Sequence, residues 1–254
     1  MNSADTSLNK YISSTGFCSR READKLIEQE RVTVNGKIAL SGNRVKEGDI
    51  VKVDGEPLKS KPKSIYIAFH KPVGISSTTD PKDKYNIIDY IKFPQRIFPI
   101  GRLDKDSEGL IFLTNDGDIV NKILRAGNDH QKEYVVTVDK PVTPDFIKSM
   151  SSGVRILETV TQKCTVKQSG KFVFTIILTQ GLNRQIRRMC SALGYQVKRL
   201  IRVRIMNIQL TGISTGKWRY LTEGEISEIQ LLVKNSVKTK EASELPANKK
   251  RRFN

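Results

Sequence analysis

"GRLDKDSEGLIFLTNDG", residues 101–117, sets three carboxylates, Asp104, Asp106 and Glu108, close together and runs straight into an apolar stretch, Leu110 to Thr114. Five apolar or β-favouring residues bounded by turn formers read as a buried strand. Asn115 to Gly117 then turn the chain into a helix with Ile119, Val120, Ile123 and Leu124 on one face, and Gly127 is its stop. Further strand material surrounds this unit. "IYIAFHKP" (65–72) is a strand that Pro72 ends. "EYVVTV" (133–138), "KFVFTIILT" (171–179), "RIMNIQL" (204–210) and "KWRYLT" (217–222) follow. Two more helices are expected. One starts at about 183, with Ile186, Met189, Cys190 and Leu193 buried and Gly194 at its end; the other is the amphipathic "EGEISEIQLLVKN" (223–235). Strands outnumber helices without a regular alternation, which predicts an α+β fold with a mainly antiparallel sheet flanked by helices.

Upstream lies a separate small module, about residues 7–58. Leu8, Tyr11 and Ile12 form one short helical face. Ser19 followed by Glu22 is a capping box, and Ala23, Leu26 and Ile27 are the apolar stripe of the helix it opens. "RVTVNGKIA" alternates around Asn35-Gly36, a strong hairpin signal, and "DIVKVDGEPL" adds an alternating strand. Arg20 and Arg21 sit at a helix N-terminus, where free N–H groups and the dipole favour an anion. Two readings stand for them: phosphate contacts, or solvated arginines on a capped surface helix. "KSKPKS" (59–64) is a basic, proline-broken linker. The layout is therefore 1–62 for the module and linker, 63–234 for a larger domain, and a basic tail, 235–254, with disorder expected.

The 254 residues carry a net charge of +17. Charge of that size points to a polyanionic partner, either a nucleic-acid backbone or an anionic membrane surface. Residues 1–62 hold only +2 of it and the tail +4, so +11 belongs to the larger domain. No apolar run is long enough to span a bilayer, and the first ten residues lack a secretion-signal layout. Cys18, Cys164 and Cys190 are far apart, fit no zinc spacing, and suggest reduced thiols in the cytoplasm. With two histidines in the chain, a histidine-based metal site is not expected, and neither is a cofactor.

The acidic cluster has three functional readings. A calcium loop would need a bidentate carboxylate at its twelfth position, where Asn115 stands. A two-metal nuclease would need further converging carboxylates. A lone catalytic carboxylate needs a fixed cation, because desolvation alone would protonate it. "GLNRQIRRMC" (181–190) offers one: Arg184, Arg187 and Arg188 share the side of the helix away from its apolar face, and guanidinium forks match carboxylates. Spacing leaves open a surface turn at Asp104, with the arginines bound to RNA phosphates.

The motif order "GRLDKDSEGLIFLTNDG", "KEYVVTV", "GLNRQIRRM" resembles that of the ribosomal-RNA pseudouridine synthases of the small-subunit synthase A family. The first module resembles the alpha-L RNA-binding domain that precedes the catalytic domain in that family. "RAGNDHQKEYVVTVDKP" and "QGLNRQIRRMC" are most similar to its large-subunit synthase F branch. The resemblance covers about residues 7–233. It implies isomerisation of a uridine to pseudouridine in structured RNA, without cofactor or metal. Asp104 is then the nucleophile, either by addition to C6 of uracil or by assisting loss of the base at the sugar. Tyr134, which as a strand residue alone reads as core, becomes the ring that stacks on uracil and helps remove the C5 proton. Arg187 pairs with Asp104, and Arg102 helps expel the target base, since N1 and C5 are unreachable in a stacked helix. Asp106 and Glu108 are turn and capping groups, and Asn115 and Asp116 order the next helix. Arg20, Arg21, Arg184 and Arg188 are RNA contacts. The implied partners are large-subunit rRNA, free or in an assembling particle, and a tRNA as second substrate; the implied state is a cytoplasmic monomer. A non-catalytic RNA-binding or ribosome-assembly protein is the alternative.

Overall fold

In the computed structural model, which describes residues 5–124 and 130–234, the chain forms two compact units. Residues 1–64 with 94–96 make one, and 65–93 with 97–254 the other. The tail from 235 and the stop at Gly127 lie outside the described residues.

The first unit is built from two helices and a small sheet. Helix α1 (Leu8–Ser14) buries Leu8 and Ile12, and α2 (Arg20–Glu28) buries Ala23 and Ile27. The Ser19–Glu22 capping box is complete: Ser19 Oγ accepts from the Glu22 amide at 3.2 Å, and the Ser19 amide donates to Glu22 Oε2 at 2.7 Å. Strands β1 (Val32–Val34) and β2 (Lys37–Ile38) form the hairpin across Asn35-Gly36, both with positive φ. That dipeptide suits a two-residue turn whose twist matches the strands. "DIVKVDGEPL" is a second hairpin rather than one strand. β3 (Val51–Val53) and β4 (Glu56–Pro57) pair around Asp54-Gly55, another dipeptide with positive φ at both positions.

The second unit holds a seven-strand path: β5 (Tyr66–Lys71), β6 (Glu108–Thr114), β7 (Lys132–Val138), β8 (Thr165–Gly170), β9 (Val173–Leu178), β10 (Val197–Ile205) and β11 (Trp218–Tyr220). Their order across the sheet is β8-β9-β7-β10-β6-β5-β11. Along this path every pairing is antiparallel except β10 with β6, where Ile201 faces Glu108 and Arg202 faces Gly109. The α+β expectation holds, and the mixed character comes from that one junction.

The apolar run of β6 is explained by cover on both faces. Ile111 and Leu113 pack with Ile67 and Phe69 of β5 against Ile87 of α3 (Ile87–Ile91). Leu110 and Phe112 pack against Ile119 and Ile123 of α4 (Gly117–Leu124) and Ile229 of α7 (Glu223–Leu232). Burying each such side chain contributes roughly 1.5–3 kcal/mol. Beyond β7 the core is closed by α5 (Pro144–Ser152), with Phe146 and Met150, and α6 (Gln185–Ala192), with Ile186, Met189 and Cys190. Two helices lie where the sequence assigns none. Asn86 caps α3 by accepting from the Ile88 and Asp89 amides at 3.0 and 2.8 Å. Thr143 caps α5, with Pro144 in its first turn. The amphipathic α7 is weaker than expected: it buries only Ile229, and Leu231 is 70% exposed.

Candidate active site

The Asp104 loop is fixed by the segment after β5. Ser77 Oγ accepts from the Leu103 amide at 3.1 Å and donates to the Leu103 carbonyl at 2.9 Å. The Gly74 amide donates to the Lys105 carbonyl at 2.7 Å. Asp104 then opens a tight turn, closed by the Ser107 amide donating to its carbonyl at 3.0 Å. Gly109 follows at φ +118°, where a Cβ would stand 2.4 Å from the Arg202 carbonyl oxygen. No side chain fits there, and that close approach forms the parallel β6–β10 junction.

This loop, β7, β10 and the start of α6 enclose a cavity of about 410 Å³ lined by Arg102, Asp104, Lys132, Tyr134, Arg184, Arg187 and Arg202. The size suits a small-molecule or single-base ligand. Tyr134 lies on β7, where its register partner on β10 is Arg202, one residue after a β-bulge. Bulges re-aim side chains at sites of this kind. It also packs against two hydrophobic clusters, so the ring belongs both to the core and to the cavity wall.

The arginines divide their work differently from the expected shared helix face. Arg184 precedes α6 in the left-handed region, φ 48°, a conformation that costs a non-glycine residue roughly 1–2 kcal/mol. Its guanidinium grips both carboxylate oxygens of Asp106, at 3.0 and 2.8 Å, and its Nη1 lies 3.7 Å from Asp104 Oδ2. Arg187 does not pair with Asp104. It donates to the Asp106 carbonyl at 2.8 Å and to Ser107 Oγ at 3.1 Å, with Nε 3.4 Å from Asp106 Oδ2. That Nε is buried with no hydrogen-bond partner. Arg188 turns back onto Asn183, at 3.1 Å to both its carbonyl and its side chain. The reason is the turn: it directs Asp104 at the cavity and Asp106 at the start of α6. Asp106 is thus the anchor of an arginine clamp rather than a simple turn residue. Its hydrogen bonds from Arg184, helped by the charge of Arg187, hold its carboxyl below the usual range. The Asp104 side chain remains 37% exposed, so it is not the desolvated group expected of a lone catalytic carboxylate.

Glu108 leaves the cluster, pairing with Arg199 at 2.6 Å and standing 4.0 Å from His70 Nε2. Asp116 Oδ1 does order the next helix, accepting from the Asp118 amide at 3.0 Å, whereas Asn115 accepts from the Ile65 amide at 2.8 Å and so ties down the entry to β5. Arg102 is exposed at the cavity mouth. Arg20 and Arg21 are exposed in the first unit, but Glu22 already occupies the Ser19 amide. An anion there would be held by the two side chains more than by free backbone N–H groups.

Three cations near the cavity, two of them buried and Lys132 half-buried, have no counterpart among the expected residues. Lys71 is fully buried and donates to the Pro72 and Ile75 carbonyls at 2.8 Å each. Burial, with Arg202 acting the same way, pushes its ammonium down to about 8. Lys132, two residues before Tyr134, is likewise pushed down to about 8 by burial and by Arg202. Arg202 donates to the Leu110 carbonyl at 2.6 Å and the Arg102 carbonyl at 3.3 Å, and its Nη2 has no partner. The available signal was a lysine closing an otherwise apolar strand, and K-x-Y on one strand face.

A model described as RNA pseudouridylate synthase matches residues 65–192, the span that contains this cavity's loop, Tyr134 and α6. The chain belongs to the RNA pseudouridylate synthase family. The synthase also matches the S4 domain model over residues 6–51. It is 60% identical over 231 residues to the dual-specificity RNA pseudouridine synthase RluF of Escherichia coli, covering 90% of this chain and 80% of that one. It is 34% identical to the ribosomal large subunit pseudouridine synthase B of Bacillus subtilis, covering 89% and 96%. A crystal structure of a pseudouridylate synthase superposes with TM-score 0.64 at 27% identity, covering 88% of this chain and 99% of that one. The synthase F branch resemblance therefore holds, and with it an enzyme that isomerises uridine to pseudouridine in RNA, not a purely RNA-binding protein. Among the described residues no helix of the synthase is long and apolar enough to cross a membrane.

Proposed function

We propose that this synthase modifies a uridine of large-subunit rRNA, with a tRNA as second substrate class, and that Asp104 is its nucleophile. The convergence of Asp104, Tyr134 and the Arg184 guanidinium on one cavity supports this most directly. The ribosomal large subunit synthase of Bacillus subtilis and the dual-specificity synthase of Escherichia coli support the two substrates. Bound RNA would complete the burial of Asp104, and the fixed charge of Arg184 would then keep the carboxylate ionised. The carboxylate either adds to C6 of the flipped uracil or assists departure of the base from the sugar. In both routes the N1–C1′ bond breaks and a C5–C1′ bond forms. The C5 proton leaves and N1 gains one, so the product is an isomer and no cofactor is consumed. Tyr134 would stack on the base and help remove the C5 proton to solvent, and Arg102 would hold the gap in the RNA stack.

The domain division proposed is 1–62 for RNA binding and 63–234 for catalysis, acting as a cytoplasmic monomer. The three cysteines are free thiols, and burial pushes the Cys190 thiol up to about 12 and that of Cys164 to about 11, so neither is a reactive thiolate at neutral pH.

Asp104→Asn is the test. Pseudouridine formation on rRNA transcripts should fall by about 10³ or more, with RNA affinity changed by less than about threefold. Turnover within tenfold of wild type would refute the assignment.

A further inference from the structure

The exposed aromatic residues of this chain are not scattered. Among the described residues six aromatic side chains are largely exposed, and four of them fall on two segments of one unit: Tyr85 (61%), Tyr90 (44%), Trp218 (37%) and Tyr220 (55%). Phe93 joins them, its ring 5.5 Å from Trp218 and 6.2 Å from Tyr220, while Trp218 and Tyr220 are 5.3 Å apart. Tyr90 leans onto the turn before β11, since a Cβ at Gly216 would stand 2.5 Å from its hydroxyl. Tyr85 lies under the ammonium of Lys105, 4.8 Å from the ring centroid, and Lys105 is the residue after Asp104. The rings therefore extend from the catalytic loop to β11, which pairs with β5 alone and forms an edge of the sheet.

A bare aromatic edge is an aggregation hazard that proteins usually suppress. Here it is interleaved with cations. Lys82, Lys84, Lys92, Lys105 and Lys217 are all exposed. Two acids among them make local bonds: Asp83 accepts from the Tyr85 amide at 2.9 Å, and Asp89 from Asn86 Nδ2 at 2.6 Å. Exposed rings beside exposed ammonium groups suit single-stranded RNA, whose bases stack on aromatics while its phosphates meet the lysines. Duplex RNA has no free base faces to offer.

We propose that this surface, centred on Trp218 and Tyr220, is a second RNA contact that stacks unpaired nucleotides flanking the target uridine. It rests on the RNA-substrate reading and adds to it a specificity for substrates with unpaired flanks. Extrusion of the uridine leaves neighbouring bases unstacked, and the platform near Lys105 takes them up.

Trp218 is the sole tryptophan of the chain, so its fluorescence reports on this surface directly. Full-length protein would be titrated with a labelled, single-stranded oligoadenosine of roughly 12 nucleotides and with a blunt duplex of equal length, following tryptophan emission and label anisotropy together. The single strand should quench Trp218 and the duplex should not. Tyr220→Leu should weaken single-strand binding about 10-fold, the equivalent of one lost stacking contact, and Tyr220→Phe should restore it. The loss should be the same at every salt concentration, because a ring displaces no counterions. Binding without quenching, affinity of Tyr220→Leu within twofold of wild type, or an equal loss for the duplex would overturn the proposal while leaving the RNA-substrate reading intact. Failure of both oligonucleotides to bind would overturn this proposal alone, because the RNA-substrate reading is tested separately by pseudouridine formation on rRNA transcripts.

Discussion

Arg184 and Arg187 sit three positions apart, and their predicted roles separate. Arg184 is the cation nearest Asp104, but its pair with Asp106 is substantially exposed, at 40% and 46%. Exposed pairs contribute little to stability, so Arg184→Met should lower it by less than about 1 kcal/mol while turnover falls by an order of magnitude or more. Arg187 is only 15% exposed and holds the turn through the Asp106 carbonyl and Ser107. Losing charged, buried hydrogen bonds costs roughly 1.5–3 kcal/mol, so Arg187→Met should be plainly destabilised in urea. Equal stability in the two variants would show that the division is wrong. Lys132 gives a pH test. Its folded pKa, about 8, lies below its unfolded value of about 10.4. The unfolded chain therefore binds more protons between these values, and this group makes stability rise with pH across that window. In Lys132→Met the rise from pH 8 to 10 should be smaller than in wild type. An identical rise in both proteins would mean that Lys132 is not perturbed.

At the level of elements, the site depends on the parallel β6–β10 junction. Gly109→Ala would force a Cβ to within 2.5 Å of both the Arg202 nitrogen and carbonyl oxygen, at φ +118°. Backbone cannot yield as a flexible side chain can. The expected result is a loss of about 3 kcal/mol or more and loss of activity, because Arg202 and the Asp104 loop move together. Stability within about 1 kcal/mol of wild type would show that the junction is adaptable. The Ser77 clamp is milder: Ser77→Ala leaves the Leu103 amide and carbonyl without it and should cost about 1–2 kcal/mol, with a matching fall in turnover.

For the whole molecule, the prediction concerns the first unit. Residues 1–62 carry a net charge of only +2, so their contribution to RNA affinity should come from a few placed contacts such as Arg20 and Arg21. Each phosphate contact steepens the logarithmic salt dependence by about 0.7–0.9. Removing residues 1–62 should therefore flatten the slope by about 1–2, weaken binding, and blur the choice of uridine, while turnover at saturating RNA persists. Tethering explains the gain: a second weak site raises affinity through effective concentration. An unfolded truncation would mean that the two segments share a core, and unchanged affinity and site choice would mean that the first unit binds something else.

Local chemistry is what the sequence by itself determined. The Ser19–Glu22 box, the Asn35-Gly36 hairpin, the buried Leu110–Thr114 strand and the helix face of Ile186, Met189 and Cys190 each follow from neighbours in the chain. The family was legible for the same reason, since its motifs are contiguous. The structure alone decided what those motifs do to one another. Asp106 lies 78 residues from Arg184 and 81 from Arg187, and no local spacing says which of three carboxylates meets which arginine. The sheet order brings β10 against β6, and only then do Arg202, Lys71 and Lys132 gather around the Asp104 loop. The lowered pKa values of Lys71 and Lys132 are a property of burial, and burial is set by the tertiary fold.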